Sequence, residues 1–247
     1  MENKYSDLLA RYDAAIAGIR QAERDSGREG AGVKLVVAAK YADSAELDAL
    51  CEYRGLDVIG ENRTDTLIEH YEGMKNKVDI HFIGHLQRNK VKQIIDKVSL
   101  IHSLESIGLA EELERQAAKR DLCIRVLAEI NIGREESKSG VLPENLREFC
   151  ADLARFPHIE LCGFMTMAPI CQSDDEYLAY FRETYDLATD VWKNTLGKTC
   201  DPIFSMGMSA SYRPAIAAGA SVVRLGSQVF GRTTADVLKM KNKTEDK

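Results

Sequence analysis

The chain has 247 residues, 45% hydrophobic and 29% charged, the balance of an ordinary soluble globular protein with room for a large core. Its formal net charge of -6 argues against a general nucleic-acid binder, which carries a basic surplus on one face. No apolar run reaches the ~20 residues of a membrane span, and the opening Met1-Glu2-Asn3-Lys4-Tyr5-Ser6-Asp7 has no secretory apolar stretch, so a cytoplasmic location is expected.

After a helix over 5–25, short β-branched runs alternate with longer amphipathic stretches. The first strand, 34–39, runs Lys34-Leu35-Val36-Val37-Ala38-Ala39 and ends in Lys40. A lysine at the mouth of a buried strand loses hydration, which favours the neutral, nucleophilic amine. Taken alone, a lysine that snorkels from a strand end explains the same residues. A helix over 44–54 leads to a strand at 57–60, which runs into Glu61 and Asn62. Helix 62–75 precedes strand 79–83, followed by Gly84-His85-Leu86-Gln87 and a helix over 86–97. Strand 99–102 ends in His102 and runs into Ser103, helix 106–120 follows, and strand 123–132 carries Asn131 near its end. Pro143 suits the first turn of a helix over 143–156. Strand 159–164 runs into Met165-Thr166-Met167-Ala168-Pro169, and helix 174–196 leads to strand 202–205 and Met206-Gly207-Met208-Ser209. Helix 210–218 and strand 221–225, which contains Arg224 and runs into Gly226-Ser227, complete the series.

Eight strands alternating with helices imply parallel strands with crossover helices, and eight closes a barrel: the fold class is α/β, a single (β/α)8 TIM barrel. An open doubly wound sheet is the alternative, but no Gly-x-Gly-x-x-Gly follows the first strand. Residues 1–232 form the barrel with its N-terminal helix, and 233–247 a C-terminal helical turn and solvated tail.

The six cysteines have no paired spacing and read as reduced thiols; His81 and His85 straddle Gly84 and are not expected to hold a metal. In such a barrel the chemistry lies at the carboxyl ends of the strands, where Lys40, Asn62, His85, Asn131, Met165, Ser209, Arg224, Gly226 and Ser227 all fall. The loops after strands seven and eight form the usual phosphate pocket, so Ser209, Gly226 and Ser227 are candidate phosphate donors at helix N-termini. A plain turn is the competing reading of Gly226-Ser227. Facing Lys40, they point to a ligand with both an aldehyde and a phosphate, and pyridoxal 5'-phosphate is one. Arg224 is placed to meet its ring nitrogen and, having no transferable proton, would keep that nitrogen unprotonated and the ring a poor electron sink.

Seven segments in order resemble the pyridoxal phosphate homeostasis protein family, which is related to the alanine racemase barrel: Ala38-Ala39-Lys40, Gly60-Glu61-Asn62, His81 to Lys90, Ile101 to Ser106, Glu135 to Val141, Gly163 to Pro169 and Ser205 to Ser209. The resemblance spans about Lys34 to Gly231. It implies a fold type III barrel without the second β domain and a pyridoxal phosphate Schiff base on Lys40. It assigns Asn62 to the ring's oxygen side, Arg224 to the ring nitrogen, and Ser209, Gly226 and Ser227 to the phosphate, with His85, Asn131 and Met165 lining the pocket. Two positions depart from the family pattern: Ser211 stands where an acid is usual, and Tyr41-Ala42 where Thr-Lys is usual. The resemblance further implies a non-catalytic, monomeric protein of intracellular cofactor homeostasis that delivers to pyridoxal-phosphate-dependent apo-enzymes, since no second domain supplies an opposing acid/base. A weak amino-acid racemase or lyase, and a lysine-imine aldolase acting on a sugar phosphate, are the competing functions.

Overall fold

Strand β1, Lys34–Ala38, forms where apolar residues follow one another without a turn former, as expected for a strand buried on both faces. In the computed structural model, which describes residues 2–232, seven further strands follow: β2 (Val58–Glu61), β3 (Asp79–Phe82), β4 (Leu100–Leu104), β5 (Ile124–Ile130), β6 (Ile159–Thr166), β7 (Ile203–Ser205) and β8 (Val222–Leu225). They pair in chain order and β8 closes on β1, with Val36 opposite Arg224, so the barrel is complete. All pairings are parallel, and each crossover carries helical structure.

The helices are α1 (Ser6–Asp25), α2 (Ser44–Arg54), α3 (Thr64–Gly73), α4 (Val91–Ile94), α5 (Ile107–Ala118), α6 (Leu146–Asp152), α7 (Asp174–Asp190), α8 (Tyr212–Ala218) and α9 (Ser227–Phe230). Local chemistry sets several boundaries. Asp43 and Glu46 form a reciprocal capping box on α2, which ends at Gly55 in the left-handed region (φ 64°). Ser106 and Ser173 cap α5 and α7.

Strand alternation divides the core. Leu35 and Val37 face outward into the layer shared with Leu47, Leu50 and Ile19 of the helices, each of these side chains contributing about 1.5–3 kcal/mol by burial. Val36, Val58 and Val222 face inward and form one apolar plug, while Leu100, Leu127 and Met165 form another. Polar side chains from β3, β4, β5, β7 and β8 share the barrel interior with these plugs.

The segment expected as a helix over 86–97 is instead a 3-10 turn, Arg88–Lys90, followed by only the short α4. Leu86 is buried ahead of the turn, α4 and the residue after it bury only Val91, Ile94 and Ile95, and Lys97 N–H closes back on Ile94 O at 2.8 Å, ending the helix early. Helix 210–218 starts at Tyr212, because Ser211 is spent on the preceding turn. Strand five stops at Ile130; Asn131 N–H turns to Val141 O (3.0 Å), which brings the 131–141 loop back over the barrel mouth. The expected tail at 233–247 lies outside the described residues.

Candidate functional site

β1 ends at Ala38, and a 3-10 turn over Ala39–Tyr41 carries the next side chains to the rim. Lys40 is exposed, with Nζ 4.7 Å from the centre of the Tyr41 ring. Its expected burial is therefore not found: the strand stops before it, and solvent and an aromatic face replace the apolar wall. The same turn packs on the loop after β8, since a Cβ on Gly226 would stand 3.0 Å from Ala38 O and 3.5 Å from the Tyr41 ring. Glycine at 226 thus permits a close approach of the Lys40 turn to Ser227.

Ser227 Oγ donates to Ser209 Oγ at 3.1 Å, so two of the expected phosphate residues meet. Ser211 closes the turn that presents Ser209: its N–H reaches Met208 O (2.8 Å), and its hydroxyl accepts Met208 N–H (3.2 Å). The amides of Ser227 and Gln228 precede the first bond of α9, Val229 N–H to Gly226 O at 3.0 Å. With four residues, α9 carries little macrodipole, so hydroxyls and free amides are what this corner offers an anion.

Asn62 follows β2 and is half-buried, and its Oδ1 is buried with no hydrogen-bond partner among the described residues. A Cβ on Gly84 would lie 2.2 Å from Asn62 O, so only glycine lets the two loops touch. His85 is exposed on the outer rim, its Nδ1 3.2 Å from both Ser139 Oγ and Glu105 Oε1. Asn131 is spent on its own loop: Nδ2 donates to Glu135 O (2.9 Å) and Lys138 O (3.3 Å), and Oδ1 accepts Glu135 N–H (3.2 Å). Met165 is buried inside the barrel against Leu100 and Leu127. Asn62 and His85 line a hollow of about 290 Å³, whereas Glu129 and Asn131 line a separate one of about 320 Å³, with Met167 and Met208 at its edge.

Arg224 is 4% exposed and points into the barrel. Its Nη1 donates to Ser205 O (2.8 Å) and Ser205 Oγ (2.5 Å), and its Nη2 to Thr166 O (3.1 Å). Burial pulls its pKa down to about 10 against the opposing charge of Glu129, which leaves it a cation at neutral pH. Glu129 is pushed up to about 7 by burial and by Glu105, with Arg224 opposing. An arginine faced by an acid that is half-protonated near neutrality is a different electrostatic centre from the lone Arg224 read in the sequence.

Sequence reasoning gave no role to Glu129, Ser205, His102 or His81. Glu129 carried a usable signal, an acid at an inward position of the apolar run Ile124-Arg125-Val126-Leu127-Ala128-Glu129-Ile130, the same signal that drew attention to Lys40. It also missed a buried pair behind Asn62. Glu61 faces outward from β2, with Oε1 2.6 Å from His70 Nδ1 and Oε2 accepting Thr66 Oγ1 at 2.9 Å. Burial works against charge on His70, but the hydrogen bond and charge of Glu61 outweigh it and raise its pKa. No group of three or more metal-ligating side chains occurs among the described residues.

Residues 19–234 match the family described as alanine racemase, N-terminal domain, so fold and site define a barrel of that class. A pyridoxal phosphate homeostasis protein of Aquifex aeolicus is 36% identical over 222 residues, 90% of this chain and 96% of its own. One from Deinococcus radiodurans is also 36% identical, over 88% of this chain and 98% of its own. The chain belongs to the pyridoxal phosphate homeostasis protein family. Among solved structures, PipY of Synechococcus elongatus with pyridoxal phosphate bound superposes with a TM-score of 0.74 at 26% identity, covering 86% of this chain and 98% of its own. Alanine racemase of Clostridium difficile shares the fold, with a TM-score of 0.67 at 18% identity over 88% of this chain and 57% of its own.

Proposed function

We propose that this chain binds pyridoxal 5'-phosphate on Lys40 as a Schiff base and serves as a non-catalytic carrier in intracellular cofactor homeostasis. The observation that carries the reading is the packing of the Lys40 turn on Gly226, beside the paired hydroxyls of Ser209 and Ser227. An amine and an anion-binding corner then stand at one strand-end rim, and relatives named for pyridoxal phosphate homeostasis supply the ligand class. The unpartnered Oδ1 of Asn62 supports the fit, since it asks for a donor that a ring hydroxyl supplies.

When bound, the cofactor supplies a reactive aldehyde and an electron-withdrawing ring. Lys40 would hold the cofactor through its side-chain amine. Ser209, Ser227 and the amides of the Ser227 turn hold the phosphate, and Asn62 orients the ring's oxygen side. Arg224 remains protonated and offers the ring nitrogen a hydrogen bond without giving up a proton. The exposure of Lys40 suits exchange with solvent and with apo-enzymes better than it suits a sealed catalytic pocket. The same reading makes the chain a cytoplasmic monomer; its cysteines are all free, and no helix among the described residues is long and apolar enough to cross a membrane.

One observation favours a second reading. Glu129, near pKa 7, is an acid/base group at the mouth, which a weak racemase or lyase needs. Borohydride reduction followed by peptide mapping tests the first reading: the pyridoxyl label belongs on Lys40, and recovery mainly on Lys90 or Lys138 refutes it. Deuterium incorporation at the α-carbon of D- and L-amino acids separates the two. Negligible exchange supports the carrier, and robust Lys40-dependent exchange establishes the enzyme.

A further inference from the structure

A chain of short polar contacts runs through the barrel interior from Arg224 to β3. Ser205 Oγ, which accepts from Arg224, lies 2.9 Å from His102 Nδ1, and His102 Nε2 lies 3.0 Å from His81 Nδ1. His81 in turn borders a cavity of about 480 Å³ lined also by Lys34, Asp57, Asp79 and Arg125 at the opposite, amino ends of the strands.

We propose that Ser205, His102 and His81 form a hydrogen-bond relay with a single proton order, which positions Arg224 and fixes which of its N–H groups are left for a ligand. Its bearing on the ligand rests on the cofactor reading above.

The proton order follows from donor and acceptor chemistry. A guanidinium has five N–H groups and no acceptor, so every contact it makes is a donation. Two N–H groups go to carbonyls, Ser205 O and Thr166 O, and one goes to Ser205 Oγ. Having accepted, the serine hydroxyl sends its own proton to His102 Nδ1. His102 must then be the neutral Nε2–H tautomer, donating to His81 Nδ1, and His81 must carry its proton on Nε2.

In the reverse order both His102 and Arg224 would donate into Ser205 Oγ. The hydroxyl proton would then be buried with no other side-chain hydrogen-bond partner among the described residues, and a stranded buried donor disfavours that order by roughly tenfold or more. A cationic His102 would face the Arg224 guanidinium inside the barrel. Burial holds both imidazoles neutral: His102 is driven well below its ordinary pKa, with His81 and Arg224 adding to the effect, and His81 is held at about 4, where Arg125 and Lys34 add and Asp57 opposes.

Three of the five guanidinium N–H groups are thereby committed to protein acceptors, and among the described residues Arg224 Nε–H and one Nη2–H remain. His102 and His81 are positioning residues in this account. They touch no ligand, but they keep the Ser205 hydroxyl turned so that its lone pair faces Arg224.

Two measurements test the relay. With 15N-histidine in the full chain free of pyridoxal phosphate, long-range proton–nitrogen spectra at pH 7 are expected to show His81 and His102 as neutral Nε2–H tautomers. An Nδ1–H tautomer or a cation at either ring overturns the relay, and the expected tautomers support it whether or not the cofactor binds. Ser205→Ala is expected to give His102 a mixed tautomer population and to weaken pyridoxal phosphate binding by roughly tenfold. Ser205→Thr, which keeps the hydroxyl, is expected to restore both. Histidine signals and affinity unchanged in Ser205→Ala would overturn the proposal.

Discussion

Replacing Glu129 by glutamine removes a titratable carboxyl that folding holds at about 7 instead of its ordinary 4.5. The folded-state pKa is the higher one, so between these values the native chain binds more protons than the unfolded chain, and stability falls as pH rises through that window. At ~1.36 kcal/mol per pH unit, the ionised carboxylate is disfavoured by about 3 kcal/mol above pH 7. Glutamine has the shape of the protonated acid and no charge to lose. Glu129→Gln is therefore expected to match the parent near pH 4.5 and to exceed it by about 3 kcal/mol at pH 8, a Tm gain of about 6 to 12 °C for a chain of this size. His81 has the opposite linkage: held at about 4, it loses stability as pH falls below 6.5. That term is common to both proteins and cancels in their difference. Urea titrations of both proteins at half-unit intervals from pH 4.5 to 8 measure the difference directly. A difference constant with pH would refute the account, because it would mean that Glu129 titrates alike in the folded and unfolded chains.

Pyridoxal phosphate is expected to bind at least about a hundredfold more tightly than pyridoxal, since several charge-assisted hydrogen bonds of roughly 1.5–3 kcal/mol each are lost without the phosphate. Equal affinities would remove Ser209 and Ser227 from the phosphate site. Lys40→Ala should abolish the visible band of lysine-bound pyridoxal phosphate and leave stability within about 0.5 kcal/mol, because the side chain is exposed; a band that survives refutes the assignment. Gly84→Ala would place a Cβ 2.2 Å from Asn62 O, so a loss of about 1–3 kcal/mol in chemical denaturation is expected, together with weaker ligand binding. Glu61→Gln should remove the stability that the raised His70 pKa supplies below pH 6.5 and that is lost as pH rises through it. Denaturation curves at pH 6 and pH 9 that shift equally would contradict that pairing.

The eight strands were legible in the sequence, because each is a short apolar run bounded by polar turns, and that contrast is local. The reason for Gly226 was only half legible. A turn was readable, but its closeness to Ala38 O depends on β8 closing against β1, nearly two hundred positions away. Lys40 shows the limit within a single segment: its place at a strand end was readable, but its exposure was decided by one 3-10 turn that periodicity does not encode. The helix over 86–97 failed for a related reason, since Val91, Ile94 and Ile95 have helical spacing but supply too little burial to sustain three turns. The interior network was the least legible. His102 and Ser205 stand 103 positions apart, and Arg224 reaches Thr166 across 58. In sequence each is one polar residue in an apolar run. The barrel determined their meeting, because closure turns alternate residues of every strand toward one axis, where a buried polar group must find a partner from another strand.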